Sequence, residues 1–179
     1  VVRSGLMPGL ALSGRVALVT GGSRGIGRAV CIALAEDGAD VAVNYRREAG
    51  AADEVVQAVT ALGRRAVAVG ASVDDPEADA AMVDRVVAEL GGLDLLVNNA
   101  GQASRGNSVV DTDPTEVERL LGTHAVGAHH VCRLALPHIR ARAAETGRGD
   151  VVFVSSIETV NPAANHGPYA MAKAAMDAL

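Results

Sequence analysis

The sequence has few cysteines, and their positions argue against two classes of protein. Cys31 and Cys132 are the only two, they lie far apart, and neither belongs to a C-x-x-C or other metal-ligand pattern. A disulfide framework and a structural zinc site are therefore poorly supported, and no metal is expected. This cysteine usage is typical of a reducing compartment, so a cytoplasmic location is expected.

Excess positive charge and long apolar runs are also lacking. The chain carries 16 basic and 21 acidic residues, giving a formal net charge of -5, and the basic residues are scattered. This balance disfavours a nucleic-acid partner. Residues 1–12 form a short apolar stretch interrupted by Gly and Pro, which is too weak for a signal peptide or a membrane-spanning helix, so no membrane partner is expected. Residues 1–13 are interpreted as an N-terminal extension, with Met7 as a candidate start.

What remains is enough apolar sequence for one buried core. Of the 179 residues, 49% are hydrophobic and 21% charged, which is too apolar for disorder. No repeat, low-complexity tract or interdomain linker interrupts the chain, so residues 14–179 are expected to form a single domain.

Short β-rich runs alternate with helical patterns along this domain. The predicted strands are residues 16–20, 41–45, 65–70, 93–97 and 151–155. Apolar residues at helical spacing end at Gly63 and Gly91, while Asp75-Pro76 and Asp113-Pro114 are typical N-caps followed by proline. The strands are nearly continuously apolar, which indicates burial on both faces. The sequence therefore predicts an α/β fold: a doubly wound parallel sheet in three α/β/α layers, the Rossmann fold.

Five strands precede a last helix that begins near Pro168, whereas doubly wound dinucleotide folds usually have six. We therefore expect the domain to be incomplete at its C-terminus, with its last strands missing.

A glycine-rich turn follows the first strand and leads into a helix. Such a turn brings the backbone close to a pyrophosphate, and the helix N-terminus offers N–H groups to the anion. The strand before it and the helix after it make dinucleotide binding the favoured interpretation over a structural turn. The candidate cofactor-binding residues in this turn are Gly21, Ser23, Arg24, Gly25, Ile26 and Gly27.

The second strand ends in Tyr45-Arg46-Arg47, where a protein selecting NAD usually has a carboxylate for the ribose 2′-hydroxyl. Arg46, helped by Arg24 or Arg47, could pair with a 2′-phosphate, because a guanidinium presents forked donors. NADP(H) is thus the preferred cofactor, with NAD(H) as the alternative. The alternative interpretation of these arginines is a solvated basic loop.

Three further residues suit carbonyl chemistry. Tyr169 and Lys173 lie four residues apart on the last helix, hence on one face, and Ser156 lies 13 residues before Tyr169 at the end of the fifth strand. Ligands bind at this carboxyl edge of the sheet in such folds. A hydroxyl that orients a carbonyl, a phenol that transfers a proton and a neighbouring ammonium form a coherent set for carbonyl reduction.

From residue 14 onward, the chain resembles the short-chain dehydrogenase/reductase family, close to its 3-oxoacyl-acyl-carrier-protein reductase-like branch. The matching features are the glycine turn, Asn98-Asn99-Ala100-Gly101 after the fourth strand, and Ser156, Tyr169 and Lys173 at family spacing. The resemblance implies that Tyr169 is the general acid, Ser156 holds the substrate oxygen, and Lys173 binds the nicotinamide ribose, so Tyr169 and Lys173 also contact cofactor. Asn98, Ala100 and Gly101 would support the cofactor, although a tight structural loop is the alternative.

Two positions depart from the family pattern. His124 stands where the family usually has an asparagine that links the lysine to a proton relay; it is a candidate relay residue, or a core histidine on the apolar stripe of Val117, Leu121 and Ala128. Ser72 and Val73 follow the third strand, where the family usually has an acidic residue near the adenine. The Ser72 hydroxyl could still bond the adenine amine.

The expected activity is hydride transfer between NADPH and a small-molecule ketone or secondary alcohol, and a 3-oxoacyl thioester is one candidate substrate. The alternatives are an NAD-preferring alcohol or sugar dehydrogenase, and a catalytically silent dinucleotide-binding or dimerising fragment. His129, His130 and His138 lack the acidic or cysteine partners of a recognisable metal site. The resemblance alone implies a homodimer or homotetramer.

Overall fold

The computed structural model describes residues 11–179, and the first ten positions of the expected N-terminal extension lie outside that range. Within it, a parallel sheet has the order β3-β2-β1-β4-β5. Its five strands are β1 (Val16–Val19), β2 (Asp40–Tyr45), β3 (Ala66–Gly70), β4 (Leu95–Asn98) and β5 (Asp150–Phe153). The predicted doubly wound parallel sheet is confirmed, and the strand boundaries differ from the prediction by one or two residues.

Six α-helices and three shorter helical segments connect and follow these strands in the described range. The α-helices are α1 (Gly25–Glu36), α2 (Ala49–Ala61), α3 (Pro76–Leu90), α4 (Pro114–Leu121), α5 (Gly127–Thr146) and α6 (Gly167–Asp177). A π-helical turn, Gly122–Val126, joins α4 to α5, and 3₁₀ turns cover Val109–Asp111 and Ile157–Thr159. From residue 11 onward, no helix combines the length and apolarity that crossing a lipid bilayer requires.

The helix ends follow the capping signals in the sequence. The Asp75 side chain accepts hydrogen bonds from Glu77 N and Ala78 N, and Asp113 accepts one from Thr115 N, so both predicted N-caps are confirmed. At the other end of α3, Gly91 adopts φ 85°, a left-handed conformation that favours glycine. Helix α2 begins earlier than its apolar pattern indicates, because its first turn consists of small residues.

Alternation along the strands gives the sheet one core on each face. Leu18 and Leu96 pack with α3 and α5, while Val19 and Val97 pack with α1 and α2. Side chains of a strand alternate between faces, so an uninterrupted apolar run supplies both cores. This arrangement leaves the carboxyl ends of the strands free to carry loops.

A buried charge cluster organises the opposite, amino edge of the sheet. Asp94 is completely buried; it accepts a hydrogen bond from Val16 N (2.9 Å), and its other oxygen lies 3.3 Å from Arg142 Nε. Arg15 donates to Asp94 O (3.1 Å) and pairs with Asp150 (2.8 Å). These bonds join the starts of β1, β4 and β5 to the end of α5.

Candidate active site

A cleft of about 690 Å³ opens at the carboxyl edge of the sheet. This volume lies within the range of sites for small molecules and cofactors. Loops after β1, β2, β3 and β4 line it. The lining comprises residues 21, 23–27, 44–48, 71–73 and 99–103, with Arg119 and Thr123. The predicted residues Gly21, Ser23, Arg24, Gly25, Ile26, Gly27, Arg46, Ser72, Val73, Ala100 and Gly101 all lie in this lining.

The glycine turn depends on the absence of side chains at two positions. A Cβ at residue 27 would lie 2.3 Å from Gly21 O, which is closer than any real contact. Gly21 itself adopts φ 63°, and a Cβ there would lie 3.0 Å from Ala100 Cα. Close packing of the turn against the loop after β4 therefore requires glycine.

The start of α1 is open to an anion. Arg24 is its N-cap and gives no side-chain cap, and no acidic residue occupies the first turn. The N–H groups at this end and the helix dipole therefore remain available to a negative group in the cleft. Arg24, Arg46 and Arg47 line the same cleft and add three guanidinium groups.

Three polar side chains that the sequence did not select as site residues hold the turn in place. Asn44 accepts from Gly21 N (3.1 Å) and donates to the carbonyls of Val69 and Ala71. Thr20 Oγ1 accepts from Asn99 N (3.0 Å), and Asn99 Nδ2 donates to the carbonyl oxygens of Thr20 and Gly21. Asn99 belongs to the Asn98-Asn99-Ala100-Gly101 feature identified in the sequence, whereas the sequence signal of Thr20 and Asn44 was a polar residue near the end of an apolar strand.

The adjacent asparagine, Asn98, takes a different place. It is buried, its Nδ2 donates to Cys132 Sγ (3.2 Å), and it does not line the cleft. Successive side chains of a strand point to opposite faces. Asn99 therefore faces the cleft while Asn98 faces α5, so the structure places Asn98 away from the site where its cofactor role was predicted.

Tyr169, Lys173 and Ser156 lie outside the cleft lining. Lys173 is 4% exposed, and its Nζ donates to Val154 O (2.6 Å), two residues before Ser156. Burial lowers the pKa of Lys173, while the Asp177 carboxylate opposes that shift. Ser156 Oγ accepts from Glu158 N (3.2 Å). The hydrogen bond to Val154 O therefore places Lys173 at the end of β5, where Val154 precedes Ser156 by two residues in the sequence.

His124 packs directly on Tyr169. The two rings meet edge to face, with centroids 5.3 Å apart, and His124 is 1% exposed. Gln102 N donates to His124 Nε2 (3.2 Å), and that nitrogen also lies 2.9 Å from Gln102 O. Burial lowers the pKa of His124, a Gln102 hydrogen bond opposes the shift, and nearby Lys173 and Arg119 lower the pKa further. His124 therefore favours the neutral form.

Two glycines make room for this arrangement. A Cβ at residue 101 would lie 2.7 Å from His124 Cε1, and a Cβ at residue 127 would lie 2.4 Å from Val73 O. The π turn that carries His124 ends at Val126 and is capped by Gly127, whose N–H donates to Gly122 O. Such turns frequently occur at functional sites. Val117 and Leu121, predicted on the buried stripe, are half-buried, because Glu116 and Leu120 occupy the core-facing positions of α4.

A polar network connects α4 to the loop after β4. Gln102 Nε2 donates to Thr123 Oγ1 (2.6 Å), and Arg119 donates to Gln102 Oε1 (2.5 Å) and Ala103 O (3.1 Å). Glu116 is buried and accepts from Arg105 N (2.7 Å); this backbone hydrogen bond holds the pKa of Glu116 below its usual range. Sequence reasoning missed this network, since its members lie on a helix and a loop with no shared motif.

Comparison with known proteins identifies related folds and sequences. A family model described as short chain dehydrogenase matches residues 15–179. Versicolorin reductase 1 of Aspergillus parasiticus is 40% identical over 166 residues, and a hydroxynaphthalene reductase of Aspergillus fumigatus is 36% identical over 168 residues. The crystal structure of a short chain dehydrogenase from Burkholderia cenocepacia in complex with NADP matches with 40% identity and a TM-score of 0.83.

These alignments cover nearly all of the present chain and a smaller share of its relatives. They span 93% and 94% of this chain but 61% and 59% of the two reductases. For the Burkholderia structure, the shares are 92% and 65%. The chain therefore spans about three fifths of the length of the curated relatives it matches.

Proposed function

The chain belongs to the short-chain dehydrogenase family, and from that premise we propose that it transfers a hydride between NADPH and a small ketone or secondary alcohol. The observation that carries the proposal is the cleft. Its glycine turn has no room for side chains at residues 21 and 27, and the adjoining helix N-terminus is uncapped. These features fit a pyrophosphate, and residues 14–179 would act as one dinucleotide-binding and catalytic domain.

NADP(H) is the proposed cofactor. Arg46, assisted by Arg24 or Arg47, would pair with the 2′-phosphate, since the two positions directly after β2 are arginines and the first carboxylate of this loop in the cleft lining is Glu48. Ser72, Val73, Ala100 and Gly101 line the same cleft and would contact the nucleotide. The NADP complex of the Burkholderia relative supports this choice. When bound, the nicotinamide supplies or accepts the hydride.

The remaining roles belong to the chain's own side chains. Tyr169 would give its phenolic proton to the developing alkoxide, and the Ser156 hydroxyl would hydrogen-bond the same oxygen. Lys173 would leave the Val154 carbonyl to reach the cofactor ribose. Neutral His124, packed on Tyr169, would fix the ring rather than relay protons from solvent.

For the substrate, we propose a ketone, with two classes to compare. The hydroxynaphthalene reductase relative favours a carbonyl on fused aromatic rings, whereas the 3-oxoacyl reductase resemblance favours a 3-oxoacyl thioester. Steady-state rates with one member of each class distinguish them.

Size-exclusion chromatography with light scattering tests the proposed homo-oligomer. Absence of both turnover and nucleotide binding would favour the alternative that the chain is a catalytically silent module.

Fluorescence titration with NADPH and NADH tests the cofactor assignment. We expect wild type to bind NADPH more tightly, and Arg46→Glu to weaken NADPH binding at least tenfold with little effect on NADH, because a carboxylate would repel the 2′-phosphate. Arg85→Glu changes the net charge equally at an exposed position of α3 outside the cleft lining, and should leave both affinities within twofold. Equal losses for both nucleotides in Arg46→Glu would contradict selection by Arg46.

A further inference from the structure

A single carboxylate closes the segment that connects Ser156 to the helix of Tyr169. Glu158 Oε2 accepts a hydrogen bond from Ala163 N (2.7 Å), and Glu158 Oε1 lies 3.0 Å from His166 Nδ1. Residues 161–165 are all exposed, yet the Glu158 side chain is only 15% exposed. The carboxylate is therefore directed into the segment rather than toward solvent.

Both ends of this closure adjoin residues proposed for the reaction. On one side, Glu158 N donates to Ser156 Oγ (3.2 Å), and the 3₁₀ turn Ile157–Thr159 starts directly after Ser156. On the other side, His166 is the N-cap of α6, and its carbonyl accepts from Ala170 N (2.9 Å), next to Tyr169. The Glu158 contacts thus connect the backbone beside the hydroxyl to the backbone beside the phenol.

The contacts favour the ionised form of Glu158. The hydrogen bond from Ala163 N lowers the pKa of the Glu158 carboxyl, and the bond to His166 lowers it further. In residues 11–179, His166 is the charged or titratable partner within ion-pair distance of Glu158. A charged acceptor makes stronger hydrogen bonds than a neutral one, so the ionised Glu158 carboxylate holds Ala163 N and His166 more strongly than a neutral side chain would.

We propose that Glu158 is a positioning residue that fixes the placement of Ser156 relative to Tyr169. The proposal rests on the proposed function of those two residues. Backbone hydrogen bonds from Asn161 N to Ile157 O (2.9 Å) and from His166 N to Ala163 O (3.2 Å) remain without the carboxylate. The turn after Ser156 nevertheless loses its side-chain link to the N-cap of α6, so the hydroxyl and the phenol are held less firmly relative to each other. Misplacement of reacting groups by about 1 Å can cost on the order of 100-fold in rate.

The chain offers a reporter that requires no substrate, because Tyr45 and Tyr169 are its only tyrosines. Incorporation of 3-fluorotyrosine gives two ¹⁹F resonances, and Tyr45→Phe identifies the one from Tyr169. We expect Glu158→Ala to shift or broaden the Tyr169 resonance. Glu158→Gln should lie between it and wild type, since the amide oxygen still accepts from Ala163 N. Glu54→Ala, at an exposed position of α2, is the matched control and should leave the spectrum unchanged.

Kinetics with Tyr45 intact complete the test. For a ketone that wild type reduces, Glu158→Ala should lower kcat at least tenfold while KM for ketone and the Kd for NADPH stay within about threefold, and Glu158→Gln should recover part of kcat. Circular dichroism checks that each variant is folded. An unchanged Tyr169 resonance in folded Glu158→Ala would overturn the proposal, even if wild type reduces no ketone. Absence of wild-type turnover would instead count against the proposed function alone.

Discussion

A methyl group at residue 27 has no room in this structure. It would lie 2.3 Å from Gly21 O and 2.5 Å from Asn99 Nδ2. These two atoms form a hydrogen bond with each other, because the Asn99 side chain donates to the Gly21 carbonyl. The glycine turn can accept the methyl group only by moving away from the loop after β4. Such overpacking typically costs about 1–3 kcal/mol.

We therefore expect Gly27→Ala to lower the free energy of unfolding by about 1–3 kcal/mol and to weaken NADPH binding at least tenfold. Gly50→Ala is the matched control, because Gly50 lies in α2 with open space around its Cα. Alanine there should be neutral or stabilise by up to about 1 kcal/mol. Urea unfolding and NADPH titration measure both effects. Equal behaviour of the two variants would contradict the steric argument.

His124 illustrates how far single residues could be interpreted from sequence. The sequence left open a relay residue and a core histidine. Burial of the ring and its bond to Gln102 support the core interpretation, and its edge-to-face contact with Tyr169 keeps it beside the proposed chemistry. That contact depends on the π turn that carries His124 and on the absence of a side chain at Gly101. No local sequence pattern predicts the contact. The catalytic assignment of His124 remains a prediction.

Helix α3 contains a carboxylate that its environment does not satisfy. Asp79 is completely buried, and neither oxygen has a hydrogen-bond partner among the described residues. Burial, reinforced by Asp75 and Asp74, raises the pKa of Asp79 to about 7. The folded state therefore binds a proton that the unfolded state releases near pH 4, and this group lowers stability as pH rises toward 7.

Asp79→Asn should raise the free energy of unfolding more at pH 8 than at pH 5, by about 2–3 kcal/mol, because asparagine cannot ionise. Asp84→Asn, at an exposed position of the same helix, should show no such difference. Urea unfolding at both pH values measures it. The lowered pKa of His124 acts in the opposite direction below about pH 6.5, but it is common to all three proteins and cancels in the comparison. An equal gain at both pH values would show that Asp79 stays ionised.

Elements with their own start and stop signals were predictable from sequence. Asp75-Pro76 and Gly91 bound α3 as expected, and the apolar runs gave all five strands of the described sheet. The glycine turn likewise indicated where the cleft lies at the carboxyl edge of the sheet, and its use for a cofactor stays a proposal. The contacts of Asn44, Asn99, Glu116 and Glu158 could not be predicted, since each joins residues that only the fold brings together.

At the scale of the whole molecule, the two edges of the sheet carry different features. The carboxyl edge carries the cleft, and the amino edge carries the buried cluster around Asp94. Removing one partner of a fully buried ion pair typically costs about 3–5 kcal/mol, whereas an exposed pair contributes at most about 1 kcal/mol. The Asp94–Arg142 pair lies between these cases, because Asp94 is buried and the Arg142 side chain is 29% exposed. Asp94 also satisfies Val16 N, so its loss would leave a buried donor without a partner.

Asp94→Ala should therefore lower the free energy of unfolding by about 2–4 kcal/mol, while Glu89→Ala, which breaks the exposed pair with Arg85, should cost less than about 1 kcal/mol. At a temperature where both variants remain folded, NADPH affinity should stay within twofold of wild type, because the sheet separates the cluster from the cleft. Urea unfolding and nucleotide titration on the same samples test both statements. A tenfold loss of NADPH affinity in folded Asp94→Ala would mean that the amino edge also sets the geometry of the cleft, and that stability and binding cannot be varied independently in this fold.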